Sequence, residues 1–173
     1  DLSKANRNII RVGRTHLQDA TPLTLGQEIS AWASMLKTNR SMLEEAVSYL
    51  ENLAVGGTAV GTGLNTTEDF GDRVCQVLNR EGCSYKSASN KFQALSSKDA
   101  LHFAHSGLEV LASNYHKSAN DIRLLSMGPR AGISEITIPA NEPGSSIMPG
   151  KVNPTQTEQA TMICALVIGN QSS

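Results

Sequence analysis

The stretch TLGQEISAWASMLKTNRSMLEEAVSYL, residues 24–50, decides the fold class. It opens on Thr24 with Gln27 three places on, a T-x-x-Q capping box that satisfies free N–H groups of a first helical turn. Ile29, Trp32, Leu36, Leu43, Val47 and Leu50 then recur at helical spacing up to Gly56-Gly57, with a gap at Asn39 and Arg40. A helix of about 30 residues is about 45 Å long. That length suits a bundle that extends through an oligomer.

Working outward, a second long pattern runs from about Leu95 to Met127, with Leu101, Ala104, Leu108, Leu111, Tyr115, Ala119, Ile122 and Leu125 on one side. Gly128-Pro129 stops it. A shorter helix is expected over 68–81, with Phe70, Val74, Val77 and Leu78 inward. A last one starts at Asn153-Pro154, with Asn153 as N-cap, Pro154 at the first helical position and Gln156 completing a capping box. Only Glu135 to Ile138 alternates as a strand would. The class expected is all-α, a long-helix bundle.

The bulk numbers narrow the function. The 173 residues suffice for one domain with a core. A net charge of -1, from 15 basic and 16 acidic residues, gives no support to nucleic-acid or membrane-surface binding. An anionic ligand must therefore be held by a few placed groups. Hydrophobic residues make up 39% and aromatic ones only 4%, so the core is aliphatic, as in packed helices. Cys75, Cys83 and Cys164 form neither a disulfide framework nor a zinc pattern, and point to a reducing compartment. No apolar run is long enough to span a membrane. The chain opens with Asp1 rather than Met and stops just after a helical pattern, so it reads as a fragment; the missing leader says nothing of the intact protein.

Three loops are dense in chemistry, and each adjoins a long helix. Gly13 to Pro22 (GRTHLQDATP) gathers polar donors and an imidazole. Gly56 to Asn65 (GGTAVGTGLN) has four glycines that let backbone approach closely. Glu142 to Pro154 (EPGSSIMPGKVNP) sets two serines between glycines and prolines, then Lys151 and Asn153 at the mouth of a helix whose N-terminus favours anions. Such a Gly-hinged loop resembles a lid over a carboxylate. From these residues alone it is an anion site of unnamed chemistry, or no more than a connection. His102 and His105 stand at i, i+3 but lack a third metal ligand, and Cys75 and Cys164 read as small core residues.

GSSIMPGKVNP, residues 144–154, resembles the signature of the fumarase/aspartase superfamily, G-S-S-x-M-P-x-K-x-N-P. Residues 13–28 and 56–65 resemble the family's other central motifs, in the right order over nearly the whole chain. Gly150 before Lys151, His16 after Thr15, Asn90-Lys91-Phe92 and Asn141 to Gly144 are similar to the class II fumarases rather than the aspartases. The resemblance implies that residues 1–173 are part of the central helical domain, without the N-terminal region and the C-terminal domain. It implies a lyase that interconverts fumarate and malate through an aci-carboxylate, an enzyme of the tricarboxylic acid cycle. No metal or organic cofactor is required.

It also implies roles. Ser145 is the catalytic base, acting as an alkoxide, with Lys151 and loop N–H groups as stabilisers. His16 is a general acid/base, acting through a water and tuned by Glu158. Thr15, Ser146, Lys151, Val152 and Asn153 bind substrate. The partners implied are a small dicarboxylate, fumarate or L-malate, and three further copies in a homotetramer whose sites are shared between subunits. The compartment implied is the cytoplasm, with the mitochondrial matrix open. Rival readings are an aspartate ammonia-lyase, a non-catalytic structural protein of the crystallin type and a bare anion-binding module. His16 and Gly150 speak against the first, and the full set of site residues against the others. The expected outcome for this chain assayed alone is little or no turnover of L-malate; a rate close to that of intact enzymes of the family refutes the shared-site reading.

Overall fold

The computed structural model describes residues 1–172. In chain order the elements are α1 (Leu2–Ala5), β1 (Ile10–Thr15), β2 (Gln18–Thr24), α2 (Leu25–Ser48), β3 (Asn52–Leu53), α3 (Phe70–Asn79), β4 (Lys86–Ser87), α4 (Lys91–Ser96), α5 (Asp99–Leu125) and α6 (Thr155–Asn170). A 3₁₀ turn, Tyr49–Glu51, extends α2. The fold is predominantly helical, with two two-stranded ladders: β1 with β2 antiparallel, β3 with β4 parallel. The chain divides into two compact units, one of Asp1–Arg40 with the chain from Glu109 onward, the other of Ser41–Leu108.

In the first unit α2 starts where the capping box puts it: Gln27 N–H donates to Thr24 Oγ1 at 3.1 Å, and Thr24 N–H donates to Gln27 Oε1 at 2.8 Å. Gly26 is obligatory, since a Cβ there would lie 2.5 Å from the Ser3 carbonyl oxygen and 2.7 Å from Arg7 Cα. The apparent gap in the α2 stripe is a buried polar contact. Asn39 is 1% exposed and its Oδ1 accepts from Asn114 Nδ2 at 2.9 Å. Seven residues earlier, Trp32 Nε1 donates to Asp121 Oδ2 at 2.9 Å. The pairs 32·121 and 39·114 run α2 and α5 antiparallel.

The strand expected at Glu135 to Ile138 is absent. The N–H groups of Glu135 and Ile136 both donate to the Leu125 carbonyl, at 2.8 and 3.2 Å, and Ser134 N–H donates to Met127. These donors satisfy free carbonyls at the end of α5 and are lost to any ladder. Conversely, residues 13–22, read as a loop, lie within the hairpin β1–β2. The second long pattern also breaks. Ser97 is extended, with ψ 150, and its Oγ accepts from Asp99 N–H, so α4 ends there and α5 starts afresh at Asp99.

The second unit is organised on glycine. Gly56, Thr58, Gly61, Gly63 and Asn65 all have positive φ. A Cβ on Gly61 would lie 2.8 Å from the Phe92 ring and one on Gly56 3.1 Å from Gly71 N, so the loop is pressed against the starts of α3 and α4. Asn90 caps α4 by accepting from Gln93 N–H at 3.0 Å. Gly107 of α5 packs on Leu43 and Ala46 of α2.

Among the described residues few side chains are fully buried: Ala46, Cys75, Ala112, Ala119, Leu125 and Cys164, with Asn39. The row Leu101, Leu108, Tyr115, read as core, is 61%, 44% and 48% exposed. Two expected outcomes follow from this packing. Asn39→Ala strands the Asn114 amide and lowers unfolding free energy by about 1–3 kcal/mol in denaturant titration, whereas Asn39→Leu with Asn114→Leu restores most of it; equal losses in both refute the pairing. Cys75 and Cys164 are buried, burial pushes the Cys164 thiol up, and Cys83 is exposed. A thiol reagent should therefore label Cys83 fast and the other two only on unfolding.

Candidate active site

The hairpin β1–β2 closes through the pair Thr15·Gln18, leaving His16 and Leu17 as a two-residue tip. Both tip residues are left-handed, with φ of 54° and 61°. This is the conformation a type I′ hairpin demands, and Asn-Gly is its usual sequence. Neither residue here adopts it cheaply; the cost is of order 1–3 kcal/mol each. Thr15 and His16 are exposed at this tip.

Leu17 of the tip shares a cavity wall with residues 151–154, the end of the 142–154 loop. The neck of that loop is closed by backbone contact: a Cβ on Gly144 would sit 2.3 Å from the Lys151 carbonyl oxygen. Only glycine fits, and its position brings Ser145 close to the Lys151–Asn153 end of the loop. Ser145 Oγ accepts two backbone N–H groups, from Ile147 and Met148, each at 3.2 Å. Two donors on a hydroxyl oxygen favour its anionic form. Ser146, Lys151 and Val152 are exposed, Ser145 and Asn153 half-buried.

The loop runs into α6, though not as its sequence indicates. Pro154, not Asn153, holds the N-cap position, with no side-chain cap bond. Its φ of -82° and ψ of 47° are non-helical, so Thr155 is the first helical residue. Thr157 Oγ1 donates to the Pro154 carbonyl at 2.7 Å. Asn153, freed of capping, lines a cavity of about 690 Å³ with Leu17, Asn120, Asp121, Arg123 and Lys151. Leu17 of the tip, the end of α5 and residues 151–154 thus share one cavity, whose walls include neither His16 nor Ser145, and Lys151 and Val152 also border a second of about 440 Å³, lined by Ser126, Arg130, Ser134 and Thr137.

Glu158 is half-buried and faces Arg123 Nη2 at 3.9 Å, while Arg123 Nη1 donates to Asn120 Oδ1 at 3.2 Å. Among the described residues no hydrogen bond or ion pair joins Glu158 to His16 within the chain. Nor is any group of three or more His, Cys, Asp or Glu placed to hold a metal.

Sequence reading missed the charges that tie the hairpin down. Glu135 receives Arg11 Nη2 at 2.5 Å and, through its other oxygen, a hydrogen bond from Arg14 Nη2. Arg11 Nη1 faces Glu28 of α2 as an ion pair without hydrogen-bond alignment, and Arg11 Nε is buried and unpaired. Three residues apart on a regular strand, Arg11 and Arg14 would point to opposite faces. The bulge between Val12 and Arg14 lies between them, and both reach one carboxylate. The Glu135 hydrogen bond raises the Arg14 guanidinium further above its ordinary range, so it stays charged.

A family model described as lyase matches residues 1–169. The chain is 58% identical over 167 residues to a class II fumarate hydratase of Halalkalibacterium halodurans, covering 96% of this chain and 36% of that protein. It is 54% identical to that of Bacillus subtilis, covering 100% and 38%. Among solved structures it is similar to a class II fumarase from Schistosoma mansoni, with a TM-score of 0.88 at 41% identity over 98% of this chain and 39% of that one. A fumarate lyase:delta crystallin from Brucella melitensis bound to cobalt aligns with a TM-score of 0.92 at 40% identity, over 98% and 37%. The chain therefore spans little more than a third of the length of these relatives. For the site itself, Gly144→Ala is expected to spread the loop neck and weaken capture of an anionic ligand at least tenfold with little change in unfolding temperature; unchanged affinity by calorimetry refutes the neck's role.

Proposed function

The chain belongs to the lyase family, and we propose that it carries the catalytic loops of a class II fumarate hydratase, which adds water to fumarate and removes it from L-malate. The observation that carries this reading is the Ser145 oxygen under two backbone N–H donors, at the neck of a loop that ends in Lys151 and Asn153. Removing a proton from carbon 3 of malate needs a strong base, and the electrons that collect on the neighbouring carboxylate need positive and hydrogen-bonding groups. Ser145, as an alkoxide, takes the proton. Lys151, the Val152 segment and Asn153 hold the carboxylate that gains charge, beside the anion-favouring start of α6. Ser146 and Thr15 hydrogen-bond the substrate. His16, through a water, protonates the departing hydroxyl.

The proposal extends to assembly: the chain is the helical core of a homotetramer, and each site draws residues from more than one subunit. The support is the second half of α6, residues 160–168, which is apolar but for Thr161; of the described residues of α6 only Cys164 is buried, while Met162 and Leu166 are 69% and 64% exposed. A helix that is apolar all round belongs inside something. Contribution from a neighbour also leaves room for His16 to meet Glu158 of another copy. We place the protein in the cytoplasm, a reading supported by its bacterial relatives and three unpaired cysteines. No described helix is long and apolar enough to cross a membrane.

The test uses the protein expressed from its complete gene, assayed on L-malate and on L-aspartate by the ultraviolet absorbance of fumarate. Fumarate from malate alone is expected, and Ser145→Ala should lower kcat by about 10²- to 10⁴-fold with assembly intact. Fumarate from aspartate alone overturns the hydratase in favour of an ammonia-lyase.

A further inference from the structure

The Thr15–His16 tip stands at the end of a two-stranded ribbon, and a lone hairpin is at best marginally ordered. What anchors this one is charge. Arg14, the residue before Thr15, hydrogen-bonds Glu135, a residue 121 positions later, and Arg11 of the same strand reaches the other oxygen of that carboxylate at 2.5 Å. Arg11 then faces Glu28 in the first turn of α2. These side chains are only 10–23% exposed, so the pairs are shielded from solvent in a way surface pairs are not. Glu135 in turn is fixed by the backbone, its N–H and that of Ile136 both held on the Leu125 carbonyl. The anchor is thus rigid at one end and one residue from Thr15 at the other.

We propose that Arg11, Arg14 and Glu135 are positioning residues: they hold the strained Thr15–His16 tip at a set distance and angle on the end of α5, without touching substrate. The inference rests on the proposed hydration reaction. Its physical warrant is that a left-handed His-Leu tip relaxes when released, and that displacing a proton-transfer group by about 1 Å costs roughly 10²-fold in rate. A carboxylate clamped by two guanidiniums from one strand restricts both sliding and rotation of that strand, which one point contact cannot do.

The test compares Glu135→Gln, Glu135→Asp and Arg14→Lys in the protein from the complete gene. Glu135→Gln is expected to lower kcat for malate about 10- to 100-fold with KM within about threefold of the parent, and Glu135→Asp to recover part of the loss. Should removing the charge unfold the protein, Arg14→Lys carries the test, since it keeps the charge and gives up the guanidinium N–H that Glu135 accepts; the same kcat-selective loss is expected. Unchanged kcat in folded variants overturns the proposal, as does a loss that only follows the fraction of folded protein. Amide exchange of Thr15 to Gln18 separates this from the function reading. If the parent turns over no malate, acceleration confined to the tip in Glu135→Gln still supports the clamp, and none overturns it.

Discussion

One amide pair fixes how the parts of α2 and α5 that lie in the first unit, up to Arg40 and from Glu109, pack on each other. Asn39 is buried in the middle of α2, and its oxygen accepts from Asn114 on α5. Asn39 Nδ2 is buried without a partner, so the pair rests on the Oδ1 bond, and a slide that breaks it would cost about 1–3 kcal/mol more. An aliphatic pair there would bury well in several registers; an amide pair does so in one, as a buried asparagine does in a coiled coil. The site follows from that register. α2 begins where the hairpin ends, and α5 ends where the Leu125 carbonyl gathers the backbone that carries Glu135. The offset of the two helices therefore sets where Glu135 stands against the hairpin that Arg11 and Arg14 tie to it.

Much of this was legible in the residues, for identifiable reasons. The start of α2 is encoded within four positions, Thr24 to Gln27, and both reciprocal bonds form. α3 stands within the expected 68–81, but of its expected inward residues Phe70, Val77 and Leu78 are 44%, 56% and 39% exposed, and Gly71 and Cys75 are buried instead. The hairpin was hidden because its tip is His-Leu, which carries no turn signal, and because its strands mix Gly, Pro, Thr and Asp instead of alternating. The strand expected after α5 failed because two of its N–H groups serve a helix end, a competition that no local pattern reveals. Pro154 took the cap from Asn153 for a related reason: its backbone there is non-helical, and the helix waits one residue.

The site divides in the same way. Ser145, Ser146, Lys151 and Asn153 lie within nine residues, so their grouping is visible in one line of sequence. Arg14 and Glu135 meet across 121 positions, and neither is unusual where it stands. Glycine does a similar service at Gly61, where what forbids a side chain is the ring of Phe92, 31 positions on.

The left-handed tip has an evolutionary consequence. With φ of 54° and 61°, His16 and Leu17 occupy a turn that Asn-Gly would fill with less strain. Selection for heat resistance alone would drift these two codons toward that dipeptide and, in doing so, discard the imidazole. Thermal robustness and the role proposed for His16 thus compete at this turn, so a lineage adapting to hot conditions must find its gains elsewhere in the chain.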